Sequence, residues 1–161
     1  MEESEGRTAG EPVNPWPRHV SFITTASALP PAVIAIRTLM KESPRKLPIY
    51  GGLWAALTTV SRRDICARCP YYGEYCSTLY GKITALMFPR SDKAMTTQGF
   101  YWDLVLLPAI FLYPLPQVYR RSKRLLAGYL AAWTLFLSVM YNMACKRCPL
   151  EACPVPRPRI I

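Results

Sequence analysis

A chain of 161 residues, 51% of them apolar and only 19% charged, is one domain's worth of sequence and too hydrophobic to be a disordered or collagen-like polymer. Its apolar residues come in blocks where a soluble domain would spread them as stripes, so lipid is the expected solvent. Twenty Lys and Arg against ten Asp and Glu give a net charge of +10, but the cations flank the apolar blocks and no recognition motif accompanies them, so headgroup contact explains them and no nucleic-acid partner is expected.

Residues 1–17 are acidic and rich in Gly, Pro and Glu. They lack the basic start and immediate apolar run of a cleaved secretory signal and read as a disordered tail, leaving 18–161 as a single membrane domain. The first apolar block, "VSFITTASALPPAVIAIRTLM" at 20–40, is long enough to span, with Pro30-Pro31 in its middle and Arg37 placed to snorkel. His19, the chain's one histidine, precedes it and reads as an interfacial residue before a metal ligand. The second block, "LPIYGGLWAALTTV" at 47–60, has 14 residues, which suits a re-entrant or interfacial helix as well as a crossing.

Residues 61–98 form a cysteine-bearing extramembrane loop. Within it Leu79, Ile83, Leu86 and Met87 recur at helical spacing with Lys82 between them, so a short amphipathic helix ending at Pro89 is expected on the headgroups or under the loop. The third block, 100–119, is nearly continuous, although Pro108, Pro114 and Pro116 must kink or fray it. Asp103 near its start suits a hydrated or Lys-paired role at the interface better than proton transfer. The fourth, "LLAGYLAAWTLFLSVMYNMA" at 125–144, carries no charge and is a full-length span. In it Tyr129 and Trp133 form an aromatic stripe that reads as packing. Only "RRSKR" separates the last two blocks, so they form an antiparallel hairpin with a basic turn at one side. Gly51 with Ala55, Gly52 with Ala56 and Gly128 with Ala132 could admit neighbouring backbones. The proline-rich end after Cys153 reads as extended.

The fold class is therefore an all-α integral membrane protein of about four hydrophobic helices, with a cysteine loop at 61–98 and a cysteine tail at 145–161. An even number of crossings between them puts loop and tail on one side. Which side is left open, because both faces are basic and the positive-inside rule leans only slightly toward cysteines outside.

The chemistry lies in two runs, "CARCPYYGEYC" at 66–76 and "CKRCPLEAC" at 145–153. Both open C-x-R-C-P and both add a third cysteine. Cys66, Cys69, Cys145 and Cys148 supply two C-x-x-C turns, the spacing that delivers thiolate pairs to a tetrahedral metal; Cys76 and Cys153 would be further ligands, a disulfide or a redox pair. Arg68, Lys146 and Arg147 would ease thiol ionisation, which favours an iron–sulfur cluster or zinc, although the ferredoxin spacing is absent. The competing readings are structural disulfides, with no cofactor, and redox-active thiols. Three disulfides would need at least one bridge between the runs. Nucleotide loops, hydrolytic triads and zinc-protease helices are lacking, so no autonomous enzyme activity is expected. The function expected is that of a small multi-pass membrane protein with a composite metal or iron–sulfur site, passing electrons or thiol redox state to a membrane or redox protein partner. The alternative is a non-catalytic membrane subunit or scaffold whose disulfides join loop to tail.

Overall fold

The computed structural model describes residues 14–95, 97–150 and 153, and among these every regular element is helical. In chain order the α-helices are α1 (Arg18–Ser27), α2 (Leu29–Glu42), α3 (Leu47–Ala56), α4 (Arg62–Ile65), α5 (Tyr80–Met87), α6 (Thr97–Leu112), α7 (Leu115–Arg121) and α8 (Lys123–Val139). Proline sets the breaks. Pro30-Pro31 occupy the first turn of α2, where their missing amides cost nothing, and the chain bends at Ala28 before them. Pro114 and Pro116 separate α6 from α7 in the same way, whereas Pro108 is carried inside α6.

Three helical stretches are long and apolar enough to cross a membrane: Arg18–Glu42, Gly99–Arg121 and Lys123–Arg147. Of the four hydrophobic helices expected, three meet that measure, and the 47–60 block does not. The 47–60 block does fold as helix, but it runs on through a π-helical turn at Leu57–Ser61 and through α4 toward Cys66. That path takes in Gly51, Gly52, two threonines, Arg62 and Arg63, which dilute its hydropathy below that of a span. Thr58 and Thr59 turn their hydroxyls onto the Ala55 carbonyl at 3.0 and 2.7 Å, the back-bonding that accompanies bent helices.

The two helical hairpins pack reciprocally. The first helix of the first hairpin (α1 and α2) lies on the second helix of the other (α8), while α6 lies on α3 and its π turn. Their shared core draws Leu39 from α2, Tyr50 from α3, Ile110 from α6 and Val118 from α7 against Tyr129 and Trp133 of α8. The aromatic stripe is therefore packing, as its spacing indicates. Phe111 stacks on Tyr129 at 5.8 Å and meets Trp133 edge-on at 5.4 Å. The Tyr129 hydroxyl donates to the Phe111 carbonyl at 2.9 Å, satisfying one of the acceptors orphaned where α6 ends. Ser122 alone links α7 to α8 and caps the latter, accepting from the Arg124 amide at 3.2 Å. Arg121 reaches Glu42 at 3.9 Å, so the basic connection at 41–46 between α2 and α3 and the turn at 120–124 occupy one end of the bundle.

The glycines of the small-residue pairs do not mediate these contacts. Among the described residues, nothing lies within 4 Å of where a Cβ on Gly51, Gly52 or Gly128 would sit. The close approach falls instead at Gly99, whose added Cβ would meet Ile65 at 3.0 Å and Asp64 at 3.3 Å. It lets α6 start directly against the helix that leads to Cys66.

Most of the tail expected at 1–17, and the proline-rich segment after Cys153, lie outside the described residues. Of the described tail residues, Asn14 and Trp16 bind the cysteine face, with Trp16 5% exposed.

Candidate thiol centre

Each C-x-R-C-P run folds as the same turn at the end of a helix. Cys66–Arg68 and Cys145–Arg147 are both 3-10 turns, closed by the amide of the second cysteine donating to the carbonyl of the first, at 3.2 Å for Cys69 and 3.1 Å for Cys148. The second cysteine is then extended, with φ −77° and ψ 140° at Cys69 and φ −76° and ψ 118° at Cys148. Pro70 and Pro149 enforce this, because a proline ring clashes with a preceding residue in helical conformation. Both turns thus aim the chain out of its helix at the second sulfur.

The two runs meet on an apolar cluster. Trp16, Val20 and Tyr71 form its buried part, and Cys69 and Cys76 from the loop pack on it together with Met143, Cys148 and Leu150 from the tail side. Trp16 is the hinge pin. Its indole N–H donates to the Ala144 carbonyl at 3.1 Å, next to Cys145, while its ring meets Tyr71 edge-on at 5.3 Å. Asn14 binds the loop beside it, donating to the Glu74 carboxylate at 2.8 Å and to the Tyr75 carbonyl at 2.6 Å.

A ladder of hydroxyls on α1 fixes the loop's second half. Ser21 donates to the Cys76 carbonyl, Thr24 to the Ser77 carbonyl at 2.5 Å, and Thr25 accepts from the Leu79 amide at 3.1 Å. Nothing in the sequence distinguishes these three residues from tolerated polar interruptions of a span. The first half is held by Ser91, whose amide donates to the Ala67 carbonyl at 2.8 Å, and by the Tyr72 hydroxyl on the Phe88 carbonyl at 2.6 Å.

Burial governs the thiols. Cys69 is pushed up to about 12, first by desolvation and then by the proximity of Cys66, Cys76 and Cys148. Desolvation also raises Cys66, more than Arg62 and Thr84 beside it can offset. The cations expected to ease ionisation are engaged elsewhere: Arg68 faces Asp64 at 3.4 Å and Lys146 donates to Asn142 at 2.7 Å, while Arg147 is exposed. The arginine that does reach a thiol is Arg62, which no local pattern separates from its basic neighbours. It clamps Asp103 of α6 at 2.8 and 2.9 Å, while Ser61 donates to the same carboxylate and the Tyr80 ring lies 4.6 Å from the guanidinium. Asp103 is accordingly ion-paired, with arginine as its partner in place of lysine.

The geometry thus gathers Cys66, Cys69, Cys76 and Cys148 within electrostatic reach around Cys69. Cys145 opens the second turn, half-buried, and Cys153 is half-buried with its amide on the Leu150 carbonyl at 3.4 Å. Among the described residues no disulfide is formed, and no three His, Cys, Asp or Glu side chains stand in a metal-holding arrangement. His19 is exposed on the first turn of α1. No protein-family model, curated protein or solved structure matches the chain.

Proposed function

We propose that this chain is a small multi-pass membrane protein whose loop and tail cysteines act as one thiol centre, relaying redox state by dithiol–disulfide exchange to a membrane or redox protein partner. The observation that carries this reading is the packing of Cys69 and Cys148, 79 positions apart in the sequence, on one apolar cluster. A dithiol relay needs one sulfur to attack and a second close by to resolve.

The roles follow from enclosure. Cys66 and Cys69 are held as protonated thiols by burial, so the first attack falls to Cys148 at the end of the tail turn. Its sulfur bonds to one sulfur of the partner's disulfide and expels the other as a thiolate. Cys69 then displaces the partner from the mixed disulfide, and its proton and that of Cys148 leave with the two partner thiols. The centre loses two electrons and two protons, and the partner disulfide gains both. Exchange is preferred to a four-thiolate zinc or iron–sulfur site at Cys66, Cys69, Cys145 and Cys148 because, among the described residues, no three His, Cys, Asp or Glu side chains stand in a metal-holding arrangement.

The test uses the full chain purified anaerobically in detergent, with oxidised glutathione as the probe disulfide. Parent protein should release two equivalents of reduced glutathione and acquire a Cys69–Cys148 bond in peptide mapping, Cys69→Ser should stop at a mixed disulfide on Cys148, and Cys148→Ser should not react. Stoichiometric metal lost on Cys66→Ser or Cys148→Ser would overturn the relay in favour of a metal centre. Cysteines already paired and resistant to reductant would overturn it in favour of a scaffold.

A further inference from the structure

Helix α5 presents its apolar side the wrong way for a loop element of a soluble domain. Its buried side is small and polar: Gly81 and Thr84 face the cysteine loop, where a Cβ on Gly81 would run into the Glu74 carbonyl and reach Cys76 Sγ at 3.3 Å, and Thr84 abuts Cys66. On the other side Ile83, Leu86 and Met87 are 38, 89 and 50% exposed. A helix whose small residues are covered by protein and whose large apolar residues are bare needs an apolar medium outside it.

The height of α5 along the bundle identifies that medium. Tyr80, its first residue, touches Arg62, and Arg62 holds Asp103. Asp103 lies six residues into α6 from Thr97, about 9 Å along the axis at the usual rise. Exposed Tyr101 and Trp102 sit at this same level of α6, followed by exposed Leu104 and Val105, the order of an aromatic belt leading into hydrocarbon. The start of α5 therefore stands level with the aromatic residues at which the exposed apolar surface of α6 begins. Exposed Lys82, Arg90 and Lys93 surround it, against one exposed acid, Asp92, a balance suited to anionic headgroups.

We infer that α5 is an interfacial helix, lying in the headgroup layer of the cysteine-side leaflet with Ile83, Leu86 and Met87 inserted among the upper acyl carbons, and that its opposite side closes over Cys66 and Cys76. The bilayer thereby forms the outer wall of the thiol centre. This inference concerns position and is independent of whether the thiols exchange, bind metal or staple.

Leu86→Trp tests it in the full chain, reconstituted in vesicles of phosphatidylcholine with phosphatidylglycerol. Because Leu86 touches almost nothing within the chain, the substitution leaves folding intact, and subtracting the parent spectrum removes the four native tryptophans. Lipids brominated high on the acyl chain should quench most of the added emission, which should be blue-shifted, and lipids brominated near the chain ends should quench it less. Red, unquenched emission from the indole introduced by Leu86→Trp would place α5 in water and overturn the inference. Blue-shifted emission from that indole, indifferent to bromine, would mean that a protein surface covers it, and would overturn the inference equally.

Discussion

The ion pair between Arg62 and Asp103 makes the most direct demand on experiment. It joins the helix that ends at Cys66 to the first turns of α6, through two contacts of 2.8 and 2.9 Å, with side chains only 13 and 21% exposed. Breaking a buried pair by removing one partner typically costs about 3–5 kcal/mol, because the survivor is left charged and uncompensated. Here the carboxylate also accepts from Ser61 and keeps some access to solvent, so Asp103→Asn should fall near the lower end, about 3 kcal/mol. Arg62→Met should lose that and about a further 1 kcal/mol from the Tyr80 ring. The double variant Arg62→Met with Asp103→Leu removes both charges together and should lose about 2 kcal/mol less than the two single losses added, the coupling that a double-mutant cycle reads. Reversible SDS unfolding in mixed micelles, followed by tryptophan fluorescence, supplies the four free energies. Single losses under about 1 kcal/mol that simply add would show that water screens the pair as it screens surface pairs, and the reasoning would fail.

Cys69 should alkylate far more slowly than an ordinary thiol. With its pKa at about 12 against an ordinary 9.0, its thiolate fraction at pH 8 falls roughly a thousandfold, which timed iodoacetamide labelling with peptide mapping reads directly. The same shift fixes a pH dependence: burial favours the protonated thiol, so the stability it contributes is whole below pH 9.0 and is lost as pH climbs toward about 12, a decline that SDS midpoints across the alkaline range should trace and that Cys69→Ala should flatten. Gly81→Ala sets a methyl against the Glu74 carbonyl and Cys76 Sγ, so α5 must lift at a cost of about 1–3 kcal/mol, and labelling of Cys76 should accelerate. Tyr129→Phe deletes the bond to the Phe111 carbonyl and should cost about 1 kcal/mol without altering labelling of any cysteine.

What the sequence reveals and what it hides divide along physical lines. Apolar length and proline position are local signals, so the spans at 20–40, 100–119 and 125–144 reappear with boundaries shifted by a few residues, and the breaks fall beside Pro30-Pro31 and Pro114. The 47–60 block shows the limit of that signal: it is helical, yet its continuation through Thr58, Thr59 and Arg62 denies it the hydropathy of a crossing. Pairing is non-local, and there the chain is opaque. Asp103 announces only that it needs a counter-charge, and not that Arg62 supplies it. Ser21, Thr24 and Thr25 look like interruptions of an apolar run until the loop they hold is in view. Trp16 sits in a stretch whose composition reads as tail, and its indole finds a carbonyl 128 residues away. Small residues mislead in the other direction, since Gly51, Gly52 and Gly128 permit close approach without compelling it.

The repeated C-x-R-C-P gains its meaning from both kinds of information together. Locally, proline after the second cysteine forces the extended conformation that ends a 3-10 turn, so one short code gives one backbone shape at Cys66–Cys69 and again at Cys145–Cys148. Globally, each turn ends the second helix of a hairpin, and each hairpin sets its first helix on the other's second. Two equivalent ends of a reciprocally packed pair must emerge at the same end of the bundle, whatever else the loops do. Neither fact alone would bring Cys69 to Cys148. The turn without the packing would leave two separate thiol pairs, and the packing without the turn would deliver two helix ends with their sulfurs turned at random. The aromatic pin of Trp16 and Tyr71 then closes the remaining gap, so Trp16→Ala, which spares every cysteine and both turns, is the substitution that should uncouple the two runs from each other.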